Sequence, residues 1–493
     1  MLRSLAKLLL LFFLLSNISL AQISRVAGMG DLKFSIVDRD MSLSPYDFGG
    51  NPAWLFMDEQ ESYLRITPAY GNSWGNYRQK YDSEGNTNLG SAFHGIKTLG
   101  ALGTFSGFTS YNYENRRNNY RTLKKDTYNG EAFHFTDTTA SDFRYMGPKV
   151  VLMYSWEPIE GLYAGGSVAY ELMDGLKEKY SYAKTIYRNA ELQAGLAVNF
   201  MHNAVFGVDV KYSDSQEAIE AQDVNLLDIE VRHYRGDNYY VGKRGSPITS
   251  KIKKQGFTFG SQLFWDDGEK LSIGLQTNYT PSDSRVLKPF TTTVSSMTTS
   301  FDEVEDSYAA FEFFDIQLKT QYKLDDDLTV GAYAGYFSDY SWSKISLKEL
   351  LIWEWDIKKT VLGLGASYQA SPSLLLGLEY EFSHSAVDSS KYIDNILLNI
   401  VSNDHVLRTG AEYKLTDEVF LRCGFNYGAK EHDLIYGGKD CNSYKYSAGI
   451  GFPLFDLLTI DASLQYMNVS PKKPDNFSRS YLSGNISLTV QAF

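Results

Sequence analysis

This chain of 493 residues lacks any helical membrane span after its first residues, and its mean hydropathy is −0.29. No later run reaches the roughly twenty apolar residues that a helix needs to cross a bilayer. Cysteine is nearly absent: Cys423 and Cys441 are too few for a disulfide framework. On the hairpin predicted around them they stand about nine residues out of register, on the order of 30 Å, far beyond disulfide reach. Positive charge is short as well. The 47 Lys and Arg face 59 Asp and Glu, and a net charge of −12 gives no general attraction for nucleic acid or anionic lipid. Only 12 prolines interrupt the chain, which leaves long stretches free to enter hydrogen-bonded ladders.

What is present is period two. Leu271, Ile273, Leu275 and Tyr279 fall on one face of an extended segment, with Ser272, Gly274, Gln276 and Asn278 on the other. Copies of this pattern recur from about residue 90 to the end, in segments of ten or so residues that close on an aromatic. Such strands, greasy outside and wet inside, predict an all-β fold: a transmembrane antiparallel β-barrel of about eighteen strands. The 36 Tyr and 40 Gly agree with this. Arg3 and Lys7, the apolar Leu8–Leu15 and Ser19-Leu20-Ala21 compose a secretory signal over residues 1–21, cleaved before Gln22. Residues 22–62 do not alternate and predict an N-terminal plug; residues 63–493 are assigned to the barrel. The expected address is the outer membrane of a Gram-negative bacterium, with outer-membrane lipid and the barrel assembly machinery as partners. The terminal Phe493 resembles the signal that this machinery reads.

The connections alternate in length. Short turns are expected at residues 99–100, 157–161, 201–203, 266–269, 325–327, 370–373, 416–418 and 455–456, on the periplasmic side. Long loops are expected at 115–148, 214–254, 281–311, 338–359 and 384–404, outside the cell. Tyr170, Tyr212, Tyr279, Tyr336, Tyr380, Tyr427 and Tyr466 end strands that leave short turns. Trp156, Phe200, Tyr322, Tyr368, Tyr413 and Phe452 end strands that arrive at them. Ordinary strand enrichment explains many aromatics, but not two rings at opposite heights on alternate strands. The opposite phase carries Asp209, Lys211, Asp315, Lys319, Glu379, Glu381, Arg408, Glu412, Arg422, Lys445 and Asp461. These charges are expected to face the lumen, paired and hydrated, because mixed signs do not make a one-sign filter.

The arm contains Gly28-Met29-Gly30 and ends in Asp47-Phe-Gly-Gly-Asn51-Pro52-Ala53-Trp54-Leu55. On these residues the chain resembles the FadL-type outer-membrane transporters of hydrophobic compounds, whose N-terminal hatch bears an Asn-Pro-Ala motif. The Asp47–Leu55 stretch is also similar to a group of Bacteroidota outer-membrane barrels. Trp54 departs from the small residue usual in the FadL type, and eighteen strands exceed its fourteen. The resemblance implies a small-molecule substrate gated by Asn51, Pro52 and Ala53. From the residues alone, Asn51-Pro52 is equally a turn closed by an Asx-type bond.

No chemistry is expected beyond this. His384-Ser385-Ala386 lacks the His-x-Ser spacing of outer-membrane phospholipases, and no Asp-x-His pair of the omptin type exists. Seven scattered histidines give no metal spacing, and Glu379 with Glu381 is a carboxylate pair without a nucleophile, so neither an enzyme nor a cofactor is expected. Two predicted outer loops are unusually apolar. Leu347–Ile357 carries Trp353 and Trp355, and Ile393–Val401, with Ile396 and Ile400, is spaced as a short amphipathic helix. Either these segments fold over each other as a cap, or they collect hydrophobic molecules or dock a surface protein. The two functions that follow are a passive channel for small, preferably hydrophobic molecules and a docking barrel of a surface or secretion complex.

Overall fold

In a computed structural model of the chain, the alternating segments close into one antiparallel barrel of eighteen strands. The structure describes residues 24–33, 50–56, 62–78, 82–120, 123–126, 134–136, 140–179, 182–201, 203–221, 229–234, 237–243, 248–294, 297–393, 395–416, 418–433, 436–455 and 457–491. The signal segment and Phe493 lie outside them.

The first strands are β1 (Tyr63–Gly75), β2 (Gly85–Thr98), β3 (Thr104–Asn119), β4 (His134–Thr136), β5 (Ser141–Ile159), β6 (Leu162–Lys177) and β7 (Lys184–Met201). Next come β8 (Ala204–Ala221), β9 (Ile229–Tyr234), β10 (Asp237–Lys243), β11 (Ile248–Asp266), β12 (Leu271–Val294), β13 (Met297–Lys323) and β14 (Leu328–Ile345). The last are β15 (Leu350–Ser371), β16 (Leu374–Lys391), β17 (Ile396–Lys414), β18 (Phe420–His432), β19 (Lys439–Phe455), β20 (Leu458–Lys473) and β21 (Arg479–Gln491). Strands β4, β9 and β10 form a small separate sheet, and β1 pairs with β21 to seal the barrel. Closure leaves no sheet edge in the bilayer, where an unpaired peptide group costs several kcal/mol.

All eight short turns fall between paired strands, as the sequence predicts. Asp267 shows why one of them is tight. Its carboxylate accepts the N–H groups of Glu269, Lys270 and Leu271, and these bonds, Leu271's first, hold it below the usual carboxylate range. The lipid-type face is solvent-accessible in the free chain, with Leu192, Leu364, Leu378 and Leu464 all more than half exposed.

The outer connections differ from expectation. Residues 281–311, 338–359 and 384–404 are mostly strand: β12 and β13 stay paired out to Val294 and Met297. Outside the bilayer the outward face meets water instead of lipid, so period-two hydrophobicity fades while the ladder and its cross-strand charge pairs persist. Arg285–Glu305 at 3.8 Å is one such pair, and Lys253 of β11 reaches across β12 to Glu303 of β13 at 2.9 Å. The helix expected at Ile393–Val401 is likewise a hairpin. Ile396 pairs with Lys391 and Ile400 with Val387, around a turn that includes Asn395 at φ 51°. Apolar residues on both faces of a strand mimic the three-and-four spacing of a helix.

Candidate functional site: the inner wall and the N-terminal arm

Two described pieces of the arm lie against the inner face of the barrel. On one wall, helix α1 (Ser24–Gly28) and the residues to Lys33 meet β16–β20. Arg25 is buried, and its guanidinium grips Glu412 through Nε at 2.8 Å and Nη2 at 2.9 Å. Glu412 also accepts Arg422 Nε at 2.8 Å, and Arg422 Nη1 donates to Asp461 at 2.5 Å. Alongside, the backbone N–H of Lys33 donates to both oxygens of Glu379 at 2.9 Å. Arg408 pairs with Glu381 at 2.9 Å, and Lys445 is ion-paired with Asp31. Gln465 Nε2 donates to the Ala27 carbonyl at 2.8 Å. The inward charges thus pair with one another and, through Glu412, Glu379, Glu381 and Lys445, with the arm.

On the far side the 3-10 turn Pro52–Phe56 meets β5–β8, with Ala53, Trp54 and Leu55 fully buried. Asn51 Oδ1 accepts the Ala53 N–H at 3.0 Å, the Asx-type bond that an Asn-Pro pair favours. Its amide nitrogen donates to the Leu196 and Val208 carbonyls at 3.2 Å and to Gln262 at 3.0 Å. Ser155 Oγ donates to the Ala53 carbonyl at 3.0 Å. This contact is neutral where the first is ionic. The Trp54 indole N–H is buried without a partner among the described residues. An orphaned donor of this kind costs about 1–3 kcal/mol.

Glycine makes both seats. A Cβ at Gly195 would stand 1.9 Å from Asn51 Oδ1, one at Gly410 2.2 Å from the Met29 carbonyl oxygen, and one at Gly424 2.2 Å from the Gly30 nitrogen. Glycine within a strand marks the close approach of another backbone, and this is the signal by which the seats were readable from the sequence. Gly424→Val should therefore expel Gly28–Lys33 without disturbing the outer face. In intact barrels the arm should become cleavable after Arg25 at least tenfold faster than in wild type. Unchanged protection would show that the seat is not needed.

Asp209 and Asp315 accept from neutral partners. Asp209 accepts Gln193 at 2.8 Å and Gln262 at 2.7 Å, and Asp315 accepts Asn278 at 3.2 Å and Gln317 at 3.0 Å. Lys211 and Lys319 share their inward phase, opposite Gln193 and Gly274 respectively. Among the described residues no metal-type cluster of His, Cys, Asp and Glu occurs.

Trp353 and Trp355 require a correction. They stand on β15, two residues apart and so on one face, and Trp353 is 3% exposed inside the barrel wall. Its indole donates to Ser389 Oγ at 2.7 Å. With Ile219, Ile252, Val286, Phe311 and Ile352 it forms an apolar socket in the extracellular half of the lumen, closed by Leu123. Ile396 is instead 48% exposed at the β16–β17 tip with Ile393, Leu397 and Val401, in the ladder row of Trp353 but one strand beyond Lys391. Leu123 belongs to a segment, Leu123–Asp126, within the long 115–148 connection.

The family model for outer membrane beta-barrel porins of the MtrB/PioB type matches residues 105–434. That is well over half of the chain. The chain belongs to this family. Its barrel is accordingly an outer-membrane porin-type barrel of a Gram-negative cell. No curated protein matches the chain. Among solved structures it is similar to the Ralstonia pickettii toluene transporter TbuX, at 11% identity over 95% of this chain and 98% of that one, with a TM-score of 0.36. A Pseudomonas aeruginosa FadL homologue shows 12% identity over 94% and 99%, at 0.37. The siderophore receptor PiuA from Acinetobacter baumannii shows 8% identity over 88% and 82%, at 0.45.

Proposed function

We propose that this MtrB/PioB-family barrel is a passive, non-catalytic channel for small hydrophobic molecules, with residues 22–62 as its plug and Asn51-Pro52-Ala53 as the hatch. The observation that carries the reading is the apolar socket around Trp353, on a wall that would be polar in a simple water-filled porin. This greasy inward surface is covered by Leu123, and an apolar guest that displaced Leu123 would meet the same favourable surface. The FadL-type resemblance of the arm supports the same reading.

Replacing Trp353 and Trp355 together with Ser should lower uptake of a labelled aromatic hydrocarbon several-fold. It should also cost about 3–5 kcal/mol of barrel stability, because a large buried side chain is lost. Ile396 and Ile400 to Ser should leave uptake unchanged. The exposed apolar tip of the β16–β17 hairpin favours the second reading, a docking barrel. If wild-type uptake equals the vector-only level while a surface protein co-purifies and is lost on Ile396→Ser, docking replaces transport.

A further inference from the structure

The segment Leu123–Asp126 turns into the lumen and is held there from several strands. Arg116 of β3 donates to the Lys124 carbonyl at 3.2 Å and to the Lys125 carbonyl, and Tyr145 Oη of β5 donates to the Leu123 carbonyl at 3.3 Å. Glu217 of β8 accepts the Lys125 N–H at 2.7 Å. The Leu123 side chain fills the apolar socket. The Lys125 ammonium is ion-paired with Glu171 of β6 and lies 3.9 Å from the centroid of the Tyr187 ring. A carboxylate and an aromatic face around one ammonium form a site that recognises amines. Beside it opens a cavity of about 220 Å³ lined by Lys125, Asp126, Tyr187, Ser215, Glu217, Ile252 and Lys254. The Lys254 ammonium lies over the Phe311 ring, 4.3 Å from its centroid. Four of the cavity's seven lining residues are charged, and Tyr187 and Ile252 give it an apolar side.

We infer that Leu123–Lys125 is a tethered stand-in for a ligand, and that the site it fills accepts a primary amine carrying a small apolar body. The inference deepens the transport reading, on which it rests for its cargo, by naming a class of molecule. An amine that enters places its ammonium between Glu171 and Tyr187 and its apolar part in the cavity by Ile252. It does so in competition with Lys125. A tethered competitor acts at an effective concentration on the order of millimolar, so the free ligand binds weakly until the tether yields.

The test is calorimetric titration of the purified full-length barrel with phenethylamine and, at equal shape and opposite charge, 3-phenylpropionate. Lys125→Ala and Lys125→Met, the second keeping the apolar stem, vacate the cage. Either should bind phenethylamine at least tenfold more tightly than wild type and should not bind the anion. Adding Glu171→Gln to the better-folded variant should abolish the gain. No gain in either lysine variant, equal binding of the anion, or a gain that survives Glu171→Gln overturns the assignment. Uptake of ethylbenzene, a neutral molecule of the same shape, is measured in parallel. Ethylbenzene uptake without amine binding removes only the amine class, whereas amine binding without uptake removes transport and leaves the site.

Discussion

A barrel lacking residues 22–62 should still insert and fold, and should conduct several-fold more current than the full chain. The two seats of the arm lie on β16–β20 and on β5–β8, walls separated by many strands in either direction around a closed sheet of eighteen. A bore of this strand number is wide enough for water unless something occupies it. Folding should survive because the wall is paired without the arm: Arg422 keeps Glu412 and Asp461, and Arg408 keeps Glu381. Breaking a buried pair by removing one partner costs about 3–5 kcal/mol, and deletion of the arm removes Arg25 while leaving Glu412 its second arginine. Single-channel conductance before and after deletion reads the effect directly. An unchanged conductance would place the block at Leu123–Asp126, and combined removal of that segment would then open the channel.

How much of this was legible in the residues depends on where hydrophobicity is forced to alternate. Within the bilayer one face of each strand meets lipid, so Leu275, Leu378 and their counterparts declare phase, turns and inward charges together. Outside it the constraint lapses. The β12–β13 hairpin keeps its ladder through Thr291, Thr292 and Thr298 but carries no two-sided signal, and it reads as a loop. The lumen charges were visible as a phase, yet their partners were not. Arg25 meets Glu412 across 387 residues, and nothing local links them. The glycines at 165, 195, 207, 410 and 424 held the missing information in part. Each removes a Cβ from an inward position, which says that a backbone arrives but not which one. Trp353 misled for a related reason: an apolar residue in a polar stretch shows that it is covered, not from which side.

Assembly is where a single side chain should have the plainest effect. Leu378 is 52% exposed on the lipid face of β16, between Leu376 and Tyr380 on the same side. Arginine there places a guanidinium near the hydrocarbon mid-plane, at about 2–4 kcal/mol. Gln276 of β12 sits in the opposite phase, beside Gln262 and Gln317 on its two neighbours. Arginine at Gln276 meets water and polar side chains, so its cost should be well under that of Leu378→Arg. Heat-modifiable gel migration reports the folded fraction for each. Leu378→Arg should leave most of the protein in the unfolded band, while Gln276→Arg should migrate as wild type. Equal damage from both would mean that the lumen wall is as dry as the lipid face, and the inward charges would then need partners at every position. The dry stretches of the inner wall are the seats of the arm and the socket around Trp353, whereas Gln276 is only half-buried, so its arginine keeps access to water.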